Sequence, residues 1–148
     1  MIPFVDLKSQ FKDIESDLRR RMDAVLEHGQ FILGPEIKEL EQKLAAFAGT
    51  KHCISCASGT DALYMTMLAK GVTTNDVVFT TPFTFFATAE TIALVGATPI
   101  FVDIDPATYN MSPTALARAI EAFNKRDASI HPLPATVTKG SPHKAVGV

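Results

Sequence analysis

The stretch SCASGTDALYM, residues 55–65, places four small residues between a short apolar run and a run of helical character. HCISC, residues 52–56, is predicted to be a strand, and TDALYMTMLAK, residues 60–70, a helix that Gly71 ends. Because a strand that turns at once into a helix is typical of an open α/β sheet, this stretch indicates the fold class.

The same alternation of strand and helix continues along the chain. The further predicted elements are the strands DVVFT (76–80) and TPIFVDID (98–105), the helices FTFFATAETIALV (83–95) and TALARAIEAF (114–123), a proline-rich loop over 125–144, and the beginning of a strand in AVGV (145–148). This order predicts an α/β fold with a mostly parallel sheet and crossover helices.

Two amphipathic helices precede the sheet. Apolar residues at steps of three and four predict a helix over 10–27, and Pro35 begins a second helix that Gly49 ends. We expect the apolar stripe of each helix to be buried. We therefore divide the chain into residues 1–50, which hold these helices and the loop between them, and residues 51–148, which begin an α/β domain.

The composition excludes several classes of partner. The chain has 148 residues, 47% of them hydrophobic, and a net charge of −2, so neither nucleic acid nor an anionic membrane is an expected partner. No apolar run reaches the length that spans a membrane, and the start of the chain lacks the pattern of a signal peptide. A cytoplasmic location is expected.

Cys53 and Cys56 form a C-x-x-C pair. On a strand their Cα atoms would lie about 10 Å apart, beyond the reach of a disulfide. A zinc site would need a second pair of ligands at motif spacing, and the sequence has none, so no metal site is expected. We expect two buried structural thiols instead.

The turn at Ser58–Gly59–Thr60 is a candidate anion site. Ligands of α/β sheets bind where strands turn into helices, and the first amides of a helix are free to bind a phosphate. Gly59 permits a close approach to the backbone, Thr60 and Asp61 would supply amides of the first turn, and the Thr60 hydroxyl adds a donor. The alternative is a turn in which Ser58 or Thr60 only caps the helix, and the negative charge of Asp61 counts against an anion. The nucleotide patterns G-x-x-x-x-G-K-[ST] and G-x-G-x-x-G are absent.

Three phenylalanines, Phe83, Phe85 and Phe86, follow the next predicted strand. Core packing is one interpretation. An aromatic ring beside a phosphate-binding turn could also stack on a flat heteroaromatic ring. The periodicity of the sequence does not indicate which of the three phenylalanines packs in the core and which could stack on a ligand.

The order of these motifs resembles one known family. GQFILGPEIKELEQKLAAFAGTKHCISCASGTDALYM (29–65) and TTPFTFFATAETIALVGATPIFVDIDPATYNMSP (80–113) resemble the DegT/DnrJ/EryC1/StrS family. Its members are pyridoxal-phosphate-dependent sugar aminotransferases of the aspartate aminotransferase fold, fold type I. The resemblance runs from Pro3 to about Asn124 and resumes at KAVGV. HGQFILGPE and CISCASGTDAL look most like the branch that aminates a 3-keto UDP-N-acetylglucuronate in surface-polysaccharide synthesis.

The resemblance implies roles for named residues. Gly59, Thr60 and Asp61 match the turn that holds the phosphate of pyridoxal 5'-phosphate, and Phe85 matches the aromatic residue that stacks on its ring. No metal is implied. The chain would be the first part of the large domain of that fold.

Two positions in the interhelix loop, Gly29 and Phe31, match residues that line the nucleotide-sugar site near the dimer interface. The alternative for Phe31 is an anchor that packs the loop onto the core. The resemblance further implies a homodimer that transfers an amino group from glutamate to a UDP-linked keto-sugar.

The family's Schiff-base lysine and the aspartate that pairs with the pyridine nitrogen would lie beyond Val148. No lysine of this sequence occurs in the family's S-x-x-K context, so we assign no catalytic residue within it. The 125–144 loop is longer than is usual in the family. Two alternatives stay open: a non-catalytic fragment or truncated paralogue that acts in binding or dimerisation, and a sugar dehydratase in which a histidine replaces the lysine.

Overall fold

The computed structural model describes residues 4–137 and 140–148, and the chain divides after Ser55 into two compact units. The first unit contains the helices α1 (Leu7–His28) and α2 (Pro35–Ala48). The Asp6 carboxylate caps α1 by accepting a hydrogen bond from the Ser9 amide, so this helix begins three residues earlier than predicted.

The apolar stripes of both helices are exposed, which contradicts the prediction that they are buried. The exposed members are Phe11, Ile14, Leu18, Met22 and Leu26 of α1 and Leu40, Leu44 and Phe47 of α2. In the described part of this unit, Ala45 is the one buried hydrophobic residue. A pair of helices has too few neighbours to remove two stripes from water, so an amphipathic pattern alone did not establish burial.

The second unit is an α/β arrangement. Its elements are α3 (Gly59–Ala69), β1 (Asp76–Thr80), α4 (Ala87–Leu94), β2 (Thr98–Phe101), α5 (Pro113–Lys125) and β3 (Lys144–Gly147). The three strands are parallel and have the order β2-β1-β3, so α4 and α5 both lie in crossover connections. The predicted parallel sheet with crossover helices is confirmed, and so is a strand at the AVGV segment.

The main core lies between the sheet and α5. Val77 and Phe79 of β1 are buried in one cluster with Ala119 and Phe123 of α5, and the Phe79 and Phe123 rings meet edge to face with centroids 6.1 Å apart. The pattern of alternating side chains in β1 explains this face, because residues two apart on a strand point to the same side.

The opposite face of β1 is covered by α3 and α4. Val78 and Thr80 line a cavity of about 240 Å³ together with Leu63 and Met67 of α3 and Thr91 of α4. β1 thus has helices against both faces, and it is the central strand because β2 and β3 pair with its two edges.

The segment HCISC is not a strand, contrary to the prediction. It pairs with no other segment among the described residues, and the amide and hydroxyl of Ser55 both donate to the Glu41 carboxylate at 2.8 Å. These hydrogen bonds hold the pKa of Glu41 below its usual value. An apolar run predicts a strand only where a neighbouring strand is available to pair with it.

Two element boundaries also differ from the prediction. The helix α4 begins at Ala87 rather than at residue 83, because Thr81 Oγ1 accepts a hydrogen bond from the Phe83 amide and holds a turn after Pro82. The strand β2 ends at Phe101, and the chain beyond it forms a turn closed by an isolated antiparallel bridge between Ile104 and Met111.

The predicted 125–144 loop is irregular over residues 126–137 and 140–143, while Lys125 ends α5 and Lys144 begins β3. Thr138 and Lys139 lie outside the described residues. The loop does not lie wholly on the surface, because Val137 is buried in the main core.

Both cysteines are free thiols, as predicted, but neither is buried. Cys53 is half-buried and Cys56 is exposed. The prediction of burial depended on a strand at residues 52–56, and it is wrong for the same reason as the strand.

Candidate functional site

The candidate turn lies at the edge of the sheet where β1 and β2 end. The helix α3 of 11 residues and the strand β1 of 5 residues are each about 16 Å long. They are joined by a short turn and line one cavity, so α3 begins at the edge where β1 ends. Parallel strands place the segment after β2 at the same edge. In open α/β sheets this is the edge at which ligands bind.

Ser58 caps the helix α3. Its hydroxyl oxygen accepts a hydrogen bond from the Asp61 amide at 3.0 Å, and the hydroxyl donates to Asp61 Oδ2 at 3.0 Å. The Asp61 amide is therefore engaged within the protein, contrary to the prediction that it is a free donor, and the carboxylate is held by the cap. This is the capping alternative that the sequence left open.

Gly59 and Thr60 supply the free donors of this turn. As the first residues of a helix, their amides have no acceptor within it, and no hydrogen bond from either amide occurs within residues 4–137 and 140–148. A Cβ built on Gly59 would have no atom within 4 Å, so the space over this backbone is open. Capping by Ser58 and two free amides thus coexist in one turn, and such a turn can bind an oxyanion.

Phe85 lies in the segment between β1 and α4, with 79% of its surface exposed. The segment is ordered by hydroxyl groups: Thr84 and Thr88 hydrogen-bond to each other at 3.0 Å, and the Thr88 amide donates to the Phe85 carbonyl. Phe85 is thus an exposed ring on a fixed backbone, and core packing does not account for it.

A second aromatic contact occurs at this edge. The rings of Phe83 and Tyr109 are stacked, with centroids 5.7 Å apart and an angle of 29° between planes. Tyr109 has a φ of 58°, which is uncommon for a residue other than glycine. The stack joins the segment that carries Phe85 to the turn after β2.

Gly29 and Phe31 lie in the loop of the first unit. Gly29 ends α1 in the left-handed conformation with a φ of 69°, which suits glycine. Phe31 is exposed, so the alternative in which it anchors the loop to a core is not what the structure shows.

Two other features are absent from the described part of the chain. Within it, no group of three or more histidine, cysteine or acidic side chains is arranged to hold a metal ion. Of the helices described, none combines the length and the apolar character needed to cross a bilayer.

The fold and the turn define an α/β protein with a binding edge at the ends of its parallel strands. A sequence profile of the DegT/DnrJ/EryC1/StrS aminotransferase family matches residues 12–132. The chain belongs to this family, as its motifs predicted.

Known relatives agree with this assignment. The chain is 55% identical over 125 residues to UDP-2-acetamido-2-deoxy-3-oxo-D-glucuronate aminotransferase of Pseudomonas aeruginosa, a match that covers 84% of this chain and 35% of that protein. This relative represents the branch that the sequence motifs indicated. The chain therefore spans about a third of the length of this relative.

Solved structures confirm the fold class. A DegT DnrJ EryC1 StrS aminotransferase from Brucella abortus matches 99% of this chain and 36% of its own, with a TM-score of 0.84 and 40% identity. NtdA from Bacillus subtilis, solved with bound cofactor PMP, matches 80% of this chain and 27% of its own, with a TM-score of 0.73 and 30% identity. The fold is that of the pyridoxal-phosphate-dependent aminotransferases.

Sequence reasoning did not identify two contacts of the candidate regions. Tyr109 was not associated with Phe83, because residues from separate loops meet only through the topology of the sheet. His28 and Glu36 are joined by a hydrogen bond across the 29–34 loop, and their spacing of eight residues follows no helical rule. The repeated glycines of HGQFILGPE were the one available sign that this loop is tightly folded.

Proposed function

We propose that this chain is the cofactor-binding part of a pyridoxal-phosphate-dependent aminotransferase that acts on a nucleotide-linked keto-sugar. The observation that carries the proposal is the turn in which the Gly59 and Thr60 amides are free at the beginning of α3. Family membership supports the nature of the anion, because relatives of this fold are named as aminotransferases.

The residues present fit such a cofactor. The phosphate would bind to the amides of Gly59 and Thr60 and to the Thr60 hydroxyl, in open space above a backbone without a Cβ. Asp61 would act indirectly, since its amide and carboxylate both bind Ser58 and thereby fix the turn. The exposed ring of Phe85 is free to stack on the pyridine ring.

When bound, pyridoxal phosphate supplies an electron sink that allows an amino group to pass from a donor to an acceptor. The residues of this chain would bind the phosphate of the cofactor and orient its ring. The amides at the beginning of α3 hold a dianionic group with a helix dipole behind it, and Phe85 excludes water from one face of a ring. We assign no proton transfer to any residue of this chain.

We further propose that the acceptor is a UDP-linked 3-keto sugar, that glutamate is the donor, and that the product serves polysaccharide synthesis. The named activity of the Pseudomonas aeruginosa relative supports the sugar class. Gly29 and Phe31 would line the sugar-nucleotide site, and the exposure of Phe31 supports this role over an anchoring one.

A homodimer in the cytoplasm completes the proposal. The exposed apolar stripes of α1 and α2 support a second copy as their cover, since contiguous apolar patches mark interfaces. Two free thiols support a reducing compartment. Sedimentation of the purified protein tests the dimer, and Leu18→Glu should shift it toward the monomer.

Cofactor binding tests the phosphate turn. Titration of the protein with pyridoxal phosphate, followed by absorbance, should show affinity about tenfold weaker in Thr60→Val, because a charge-assisted hydrogen bond is lost. Thr66→Val is the matched control, since its hydroxyl donates to the Ala62 carbonyl inside α3. Equal affinities in the two variants would contradict the phosphate role.

The stacking role has its own pair of variants. Phe85→Leu should weaken binding and alter the absorbance of the bound cofactor, whereas Phe86→Leu, at a neighbour of similar exposure, should not. Identical spectra and affinities in both would count against stacking by Phe85.

Activity distinguishes the three candidate functions. The protein carrying this sequence at its full length is incubated with nitrogen-15 glutamate and a UDP-linked 3-keto sugar, and products are identified by mass spectrometry. A labelled amino-sugar supports the aminotransferase. Loss of water without nitrogen transfer would identify the dehydratase, and cofactor or sugar binding without turnover would identify the non-catalytic alternative.

A further inference from the structure

The loop between α1 and α2 displays three consecutive apolar side chains to solvent. Phe31, Ile32 and Leu33 are 68%, 88% and 83% exposed. Three adjacent exposed apolar residues are unfavourable unless they serve a contact. Interactions at the two ends of the segment hold it in one conformation.

The backbone conformation of the loop contributes to this order. Gly29 and Leu33 both have positive φ values, of 69° and 51°. Gly34 is buried, and a Cβ at this position would lie 2.5 Å from the Gln30 carbonyl oxygen, so the two ends of the loop are in close contact. Leu33 pays a conformational cost that surrounding contacts must offset.

His28 provides those contacts through both of its ring nitrogens. Nδ1 accepts a hydrogen bond from the Gln30 amide at 3.0 Å, and Nε2 lies 3.0 Å from Glu36 Oε1. A nitrogen that accepts from an amide carries no proton, so the ring is neutral with its proton on Nε2, which donates to the carboxylate. The same hydrogen bond lowers the pKa of Glu36 from its usual value.

This arrangement joins the two sides of the loop through one side chain. His28 is the last residue of α1 and Glu36 lies in the first turn of α2, and the two side chains keep 27% and 31% of their surface exposed. The bond to Gln30 fixes the residue directly before Phe31. Packing alone cannot do this, because the loop contributes no apolar residue to a core.

We propose that His28, supported by Glu36, is a positioning residue that holds the 29–34 loop so that Phe31 is presented to the nucleotide-sugar substrate. The inference rests on the proposed function for the identity of the substrate. His28 touches neither substrate nor cofactor in this role. It acts on the free protein, by keeping the loop in its bound conformation before the ligand arrives.

Two conservative variants separate the two hydrogen bonds. In His28→Asn the amide oxygen stands at the position of Nδ1 and can accept from Gln30, but nothing reaches Glu36. In His28→Gln the amide nitrogen stands at the position of Nε2 and can donate to Glu36, but the acceptor for Gln30 is lost. His28→Phe removes both bonds and keeps a ring. His52→Phe, at the exposed histidine of the same unit, is the matched control.

Each variant is measured in two ways. Hydrogen exchange of the Gln30 amide in the substrate-free protein should become about tenfold faster in His28→Phe and His28→Gln, the factor given by one ordinary hydrogen bond. His28→Asn should protect this amide better than His28→Gln does. In steady-state kinetics, His28→Phe should raise the KM for the sugar nucleotide about three- to tenfold and leave kcat within about twofold, because loop ordering is a cost of binding. His52→Phe should change neither quantity.

The outcomes decide between the two proposals. Unchanged exchange at Gln30 in His28→Phe would overturn the positioning role. Faster exchange with an unchanged KM would also overturn it. Amino transfer by these variants would still support the proposed function. A wild-type protein at full length that transfers no amino group to any keto-sugar would overturn the proposed function, and the inference about substrate presentation with it.

Discussion

Different interactions stabilise the interior of each of the two units of this chain. The first unit buries almost no apolar surface, and its two helices are joined by the ion pair of Arg21 with Glu39 and the hydrogen bond between His28 and Glu36. The second unit buries a contiguous core around Phe79. Exposed ion pairs orient the helices but add little to the free energy of unfolding, whereas apolar burial adds much more. The first unit therefore has little apolar burial of its own to stabilise it, whereas the second has a core.

The largest expected effect comes from replacing a phenylalanine by alanine, once in each unit. Phe79→Ala should lower the free energy of unfolding by about 3–5 kcal/mol, because it empties a fully buried site against Phe123. In the Leu18→Glu background, where the proposed dimer contact is removed, Phe47→Ala, at a residue that is 91% exposed, should change it by less than about 0.5 kcal/mol. Denaturant unfolding measures both, and equal losses would refute the contrast between the units.

A buried carboxylate should give the next effect. Asp76 is 1% exposed and accepts hydrogen bonds from the amide and hydroxyl of Thr73, while Lys144 lies 3.7 Å away. Asp76→Ala leaves the Thr73 amide without its acceptor and should lower the melting temperature by several degrees. Asp13→Ala, on the exposed surface of α1, is the control and should leave it unchanged. A melting temperature shared by both variants would show that burial adds nothing at Asp76.

Removal of a helix cap from each unit should have a smaller effect on stability. Ser58→Ala removes the hydroxyl that caps α3 and should cost about 1 kcal/mol of stability. It should also loosen the turn that we propose binds phosphate, so cofactor affinity should fall with it. Asp6→Ala removes the corresponding cap of α1, but should leave that affinity unchanged. A Ser58→Ala protein with wild-type affinity would separate capping from binding.

The smallest effect concerns the charges of the first unit, and it depends on pH. Arg21 and Lys43 hydrogen-bond to Glu39 and lower its pKa from 4.5 to about 2. Because the folded protein favours the ionised carboxylate, the stabilisation is present above pH 4.5 and is lost as the pH falls toward 2. Glu39→Gln should abolish this part of the acid transition, followed by circular dichroism of the helices, while Glu27→Gln should retain it. Salt should weaken the same contribution.

The fold could be predicted from sequence where each signal was local. Gly71 and Gly49 mark helix ends, and Ser112 with Pro113 marks a helix beginning, because these residues act through their own backbone. HCISC was misassigned because a strand depends on its neighbours, and Ser55 binds Glu41 instead. The apolar stripes predicted helices correctly but not what covers them.

The candidate site divides in the same way. The small residues of the 58–61 turn indicated a free backbone, and the open space above Gly59 agrees with that expectation. The reciprocal bonds between Ser58 and Asp61 and the stack of Phe83 on Tyr109 depend on side-chain geometry, which residue types alone do not give. The binding roles of Gly59, Thr60, Asp61 and Phe85 stay predictions until cofactor binding is measured.

The position of β1 between β2 and β3 has a consequence for the rate of folding. Val77 pairs with Thr98 across a short crossover, whereas Asp76 pairs with Lys144 only after the whole of α5 and the long loop have intervened. Closing the longer loop costs more chain entropy, and this cost precedes the contacts that offset it. The β1–β2 pair should therefore form first, and β3 should join the sheet late. Substitutions in β3 should then accelerate unfolding and leave the refolding rate nearly unchanged, while substitutions in β2 should slow refolding.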